Sequence, residues 1–138
     1  HTVAKGAASH AEGNTTESNG WYSHAEGAGS LAGGIASHAE GNSTVTNNFA
    51  EHAEGSYNKS NDETLSSIGI GTSMSDRKNA FEVMQNGDTY LIGVGNYDGT
   101  NYNEANTLQD TVNAKADVSY VDAKIAEAIE EVLKRIGG

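Results

Sequence analysis

The chain has 138 residues, a net charge of −11, no cysteine and no proline. These totals exclude a disulfide framework, a thiolate zinc site and a cysteine nucleophile, and the few, unclustered Lys and Arg argue against nucleic acid or an anionic membrane as partner. Only 36% of the residues are apolar, with 17 glycines, two Phe and one Trp, so the chain is expected to complete its core between subunits as an oligomer.

No apolar run approaches the roughly 20 residues of a spanning helix, so no membrane insertion by this segment is expected. The chain opens at His1 without a signal-peptide pattern, which reads as a piece of something longer.

Residues 1–62 are repetitive. Ser9-His10-Ala11-Glu12-Gly13 returns unchanged from Ser23 and from Ser37, and Glu51-His52-Ala53-Glu54-Gly55 is a near copy, each start 14 residues after the last. Other columns share the period: the hydroxyls Thr2, Thr16, Ser30 and Thr44, the apolar Ala7, Trp21, Ile35 and Phe49, and Val3, Leu31 and Val45 interrupted by Glu17. A column of Gly6, Gly20, Gly34 and Asn48 is expected to hold positive φ. Fourteen residues are too few for a helix-pair repeat and suit one coil of a β-solenoid. Within each copy, Ser, Ala and Gly point to one side and His and Glu to the other.

These repeats resemble the head repeats of trimeric autotransporter adhesins, and the related repeats in tail fibres of bacteriophages and prophages. The resemblance covers residues 1–62 and implies a trimeric, left-handed parallel β-roll with small residues at a crowded inner face. It also implies a homotrimer on a virion tail fibre or a bacterial cell surface. There it would present a repetitive surface to a cell-surface glycan or protein receptor. No family function attaches to His10, Glu12 or their equivalents.

The 14-residue period is expected to fail from Asn61, because Ser67-Ile68-Gly69-Ile70 arrives 16 residues after Glu51. Residues 63–103 read as a small β connector. In it Phe81 and Val83, then Tyr90, Ile92 and Val94, alternate on either side of Asn86-Gly87, a type I′ hairpin signal. Residues 104–138 read as a helical stalk. Leu108 and Val112 suit a short helix, and Val118, Ile125, Ile129, Val132 and Ile136 form a coiled-coil seam that leans toward three strands.

Chemistry and architecture compete for the His/Glu slot. His10 and Glu12, His24 and Glu26, His38 and Glu40, and His52 and Glu54 each share a strand face, so stacking makes ladders able to hold a divalent cation. No cofactor is otherwise implied. An enzyme needs one concave site with distinct roles, whereas this pattern is uniform; a solvent-facing structural ladder is the preferred reading and no catalytic residues are assigned. Asp98 to Asn101 and Glu104 suit turn chemistry better than calcium. Trp21, Tyr22, Phe49 and Tyr57 are the candidate receptor-binding residues, since one column holding Ala, Trp, Ile and Phe suggests an edge rather than a packed interior; the preferred reading of the same aromatics is that they cover the flank of the roll or the trimer seam. The expected function is non-enzymatic attachment through a tail fibre. The alternatives are the head of a bacterial surface adhesin, a metal-binding module, and a passive spacer.

Overall fold

The computed structural model describes residues 1–115 and 118–137; the side chains of residues 118–120 lie outside that description. Short strands recur every seven residues and alternate between two sheets. The first sheet stacks β1 (Val3–Ala4), β3 (Glu17–Ser18), β5 (Leu31–Ala32) and β7 (Val45–Thr46). The second stacks β2 (His10–Ala11), β4 (His24–Ala25), β6 (His38–Ala39) and β8 (His52–Ser56). Every pairing is parallel with a 14-residue offset, so His10, His24, His38 and His52 stand in one row and Val3, Glu17, Leu31 and Val45 in another. The chain is a β-solenoid of about five coils.

Two corners close each coil. Ala8, Thr15, Tyr22, Gly29, Ala36, Ser43, Ala50 and Tyr57 occupy them, seven residues apart, with φ between 42° and 69°. A side chain there costs about 1–2 kcal/mol, which backbone bonding between coils offsets. Tyr22 N donates to Ala7 O at 2.9 Å, Ala36 N to Trp21 O at 2.8 Å and Ala50 N to Ile35 O at 2.9 Å. The expected positive φ at Gly6, Gly20 and Gly34 is therefore a correction: the left-handed residue is two places later. Those glycines answer to crowding instead. A Cβ on Gly20 would lie 1.9 Å from the carbonyl oxygen of Gly34 in the next coil.

The interior has almost no bulky apolar group. Thr16, Ser18, Ser23, Ala25, Ser30, Ala32, Ser37, Ala39, Thr44 and Thr46 are all buried. Hydroxyls fill it in pairs: Ser18 Oγ lies 2.6 Å from Ser23 Oγ, Thr44 Oγ1 2.9 Å from Ser30 Oγ, and Thr46 Oγ1 2.8 Å from Ser37 Oγ. The repeat serine has a fixed task, since Ser9, Ser23 and Ser37 donate to the carbonyls of Gly6, Gly20 and Gly34 at 2.7–2.8 Å. Ser and Ala thus face inward and His and Glu outward, as the alternation predicts. Gly13, Gly27, Gly41 and Gly55 differ from that expectation: they are exposed and turn the corner at φ 89–107°. Glu17, the exception in its apolar column, stays at the surface and pairs with Lys5 Nζ at 2.8 Å.

The stack does not lose its period where the sequence suggests. β9 (Thr64–Ile70) pairs with β8 in parallel, His52 beside Ser66 and Gly55 beside Gly69. The offset remains 14. Leu65, Ser66 and Ile68 stand where Glu51, His52 and Glu54 stood, while Ser67 and Gly69 set small, buried residues beside Ala53 and Gly55. β10 (Asn79–Met84) and β11 (Thr89–Leu91) then extend this sheet antiparallel.

The hairpin forms, but its turn is not type I′. Gly87 alone has positive φ, at 93°, with Gly87 N donating to Met84 O at 2.9 Å and Met84 N to Asp88 O at 2.8 Å. Its buried face also differs: Glu82, Met84 and Tyr90 are buried, Phe81 and Val83 are partly so, and Ile92 is exposed. A second small core gathers Met84, Tyr90 and Tyr97, with Tyr102 and Ala105 against it. Beyond a 3-10 turn at Tyr102–Glu104, α1 (Leu108–Lys115) lies against β11 and α2 (Val118–Gly137) follows. Residues 121–137 of α2 are exposed throughout.

Candidate functional site

The outward face of β2, β4, β6 and β8 carries the His/Glu rows. The imidazoles of His10, His24, His38 and His52 stack at centroid distances of 4.8, 4.6 and 5.0 Å. From His24 onward each ring leans toward the carboxylate of the preceding coil rather than its own. His24 Nε2 lies 4.0 Å from Glu12 Oε1, His38 Nε2 3.8 Å from Glu26 Oε1, and His52 Nε2 3.4 Å from Glu40 Oε1. Burial and the flanking His24 and His52 rings push His38 below the ordinary imidazole value. Among the described residues, two groups place one nitrogen and two carboxylate oxygens within 4.8 Å of one another: Glu12, His24 and Glu26, and Glu26, His38 and Glu40. His10, His52 and Glu54 stand outside both groups.

The candidate receptor-binding residues divide. Trp21, Tyr22 and Phe49 share one corner of the solenoid and are exposed, at 59%, 64% and 66%. With Ile35, at 49%, they form an apolar ridge along the stack. Tyr57 lies at the opposite corner, partly buried, with the Arg77 guanidinium 5.7 Å from its ring centroid. That guanidinium also donates to Ser43 O at 2.8 Å and Asn58 O at 3.0 Å.

On α2, Ile125, Ile129, Val132 and Ile136 of the expected seam are exposed in the single chain, as is Leu133. The side chain of Val118 lies outside the described residues. In the loop before the helices, Asp98 Oδ1 accepts from Thr100 N at 2.8 Å, Thr100 Oγ1 at 2.6 Å and Asn101 N at 3.3 Å, the turn chemistry that the sequence suggests.

Sequence reasoning missed two buried carboxylates. Glu51, in the slot that Ser holds elsewhere, accepts at Oε2 from Asn47 N, Asn48 N, Asn48 Nδ2 and Ser60 Oγ at 2.8–3.0 Å. Burial raises its pKa against those bonds. Glu82 accepts from Tyr97 OH at 2.7 Å, from Thr64 Oγ1 at 2.5 Å and from Asn61 Nδ2 at 3.0 Å. The one available signal was the replacement of Ser by Glu at position 51. Comparison of the chain with known protein families, with curated proteins and with solved structures found no match.

Proposed function

We propose that this chain is a non-enzymatic segment of a homotrimeric attachment fibre, of the phage or prophage tail-fibre type, which presents a repetitive surface to a glycan or protein receptor on a host cell. In this reading the roll is left-handed, three copies pack side by side, and α2 joins its two counterparts in a coiled-coil stalk. The observation that carries the reading is the ridge of Trp21, Tyr22, Ile35 and Phe49, exposed along a rigid stack. Large apolar groups aligned in this way are where a partner binds. Three such ridges held together would multiply a weak contact into avidity. The exposed apolar stripe of α2 supplies the means of assembly, because a lone helix of this length is marginal in water.

The hairpin and short helix after the roll favour a tail fibre over the head of a bacterial surface adhesin. The test combines mass measurement in solution with binding of the purified protein to host cells and a glycan array. A trimer that binds, and loses binding in Trp21→Ala/Phe49→Ala while remaining a trimer, supports the proposal. A persistent monomer, or a trimer that binds nothing and so acts only as a spacer, refutes it.

A further inference from the structure

We propose that the His/Glu face is a metal site: two zinc-type divalent ions bind each chain, one held by Glu12, His24 and Glu26 and the other by Glu26, His38 and Glu40. This inference does not depend on attachment. Three observations lead to it.

The first is geometric. In each group one imidazole nitrogen and two carboxylate oxygens already lie within 4.8 Å of one another, with the cross-coil pairs at 4.0 Å and 3.8 Å. Ligands on one tetrahedral zinc are roughly 3.3–3.6 Å apart, given bonds of about 2.0–2.2 Å. Small side-chain rotations close that difference, and the fourth position remains open to water.

The second is an unmet need. His24 Nε2 and His38 Nε2 are cut off from solvent and, among the described residues, have no hydrogen-bond partner. They are the nitrogens at the centre of the two groups. Their separations from the carboxylates are too long for a hydrogen bond, yet suit an ion between the two.

The third is charge. The coils repeat at about 4.8 Å, which stacks the carboxylates of Glu12, Glu26 and Glu40 at short range. Among the described residues, their ionic neighbours within 4.0 Å are imidazoles and no Lys or Arg. A dication answers that repulsion directly. One nitrogen and two oxygens suit zinc, nickel or cobalt, whereas calcium needs six or more oxygens. Each ion would take Glu from one coil and His with Glu from the next, so it would pin adjacent coils together.

The test is calorimetric titration of the full chain with zinc chloride after chelator treatment. Two ions per chain are expected. His24→Ala and His38→Ala should each remove one, Glu26→Gln should weaken both at least tenfold, and His10→Ala should leave both in place. His24→Gln/His38→Gln, which keeps the bulk of the row, guards against loss of fold, with circular dichroism confirming the β signal. A rise in melting temperature with zinc but not with calcium is the second readout. The proposal is overturned if no saturable uptake occurs, or if uptake is unchanged in the folded double variant.

Discussion

The side-chain amide of Asn58 makes with Val45 both hydrogen bonds that a further strand would have made: Oδ1 accepts from Val45 N at 2.7 Å and Nδ2 donates to Val45 O at 2.9 Å. One coil earlier the equivalent amide, Leu31 N, donates to the backbone carbonyl of Thr44, the residue 14 places before Asn58. Glu51 acts in the same way. Gly33 N and Gly34 N donate to Thr46 O, but Asn47 N and Asn48 N, a coil later, donate to Glu51 Oε2. Asn79 repeats the device on Lys59, accepting from its amide and donating to its carbonyl at 2.8 Å. Side chains thus finish the first sheet where its strands stop, and the buried ladder groups keep their partners.

Asn58→Ala should therefore leave two partly buried backbone groups of Val45 unpaired. A loss of about 2–4 kcal/mol is expected, read as a lower urea midpoint with unchanged slope. Asn58→Asp, which keeps the acceptor but sets an oxygen against Val45 O, should be no better. A variant as stable as the parent would refute the capping role.

Glu51 should give the fold a pH dependence of unusual sign. Its folded pKa is raised by burial above the ordinary 4.5, so the folded state holds its proton more tightly than the unfolded state. Stability should be full below about 4.5 and fall as pH rises through the raised value. Glu17, held low chiefly by its bond from Lys5, acts in the opposite direction on acidification. The comparison with Glu51→Gln isolates the effect: the difference in unfolding free energy between the two proteins should shift in favour of the variant as pH rises. A difference that does not vary with pH would contradict it.

Two neighbouring glycines should respond very differently. At Gly27, with φ +95°, a Cβ would sit 2.2 Å from the carbonyl oxygen of Gly41. Gly27→Ala should cost at least about 3 kcal/mol, through strain and a backbone clash. At Gly29 the nearest atom would be Ser43 Oγ, at 3.1 Å, and the same corner position already holds Thr15, Ser43 and Tyr57. Gly29→Ser should remain within about 1 kcal/mol of the parent. Equal thermal shifts in the two variants would show that the coils are not stacked this closely.

Tyr97→Phe removes one of the donors that hold the buried Glu82 carboxylate. A loss of about 1–3 kcal/mol is expected. Tyr97 itself is pushed well above the ordinary phenol value, first by burial and then by Glu82, so it should stay protonated while the protein is folded. Its absence from an alkaline spectrophotometric titration, until unfolding, would verify this.

Ile129→Asp places a charge in the exposed apolar stripe of α2. If that stripe joins chains, the variant should lose mass in solution and lose helical signal together, while the β signal persists. Unchanged mass would assign assembly to another surface.

The stacked body was legible because each coil recreates one environment, so every column returns the same physical demand. The inward Ser and Ala and the outward His and Glu follow from strand alternation alone. The corners were not legible, because backbone bonding between coils lets Ala8, Tyr22 and Ala36 occupy positions that local preference gives to glycine. The continuation through β9 was hidden when Ser66 and Ile68 replaced the conspicuous His and Glu, although neither of those had set the register. Asn58, Glu51 and Asn79 each act once, so no period could reveal them. The His/Glu pairing was half visible: the shared face came from spacing, but the lean of each ring toward the preceding coil depends on three-dimensional stacking.

A body whose layers meet only through like columns can change length without redesign. Copying a 42-base-pair segment in frame would insert one more layer, add about 4.8 Å to the rod and leave both ends as they were. Reach would then vary in discrete steps by slippage or unequal recombination. Each step would add one more rung to the His/Glu row and to the aromatic edge, so span and valency would evolve together.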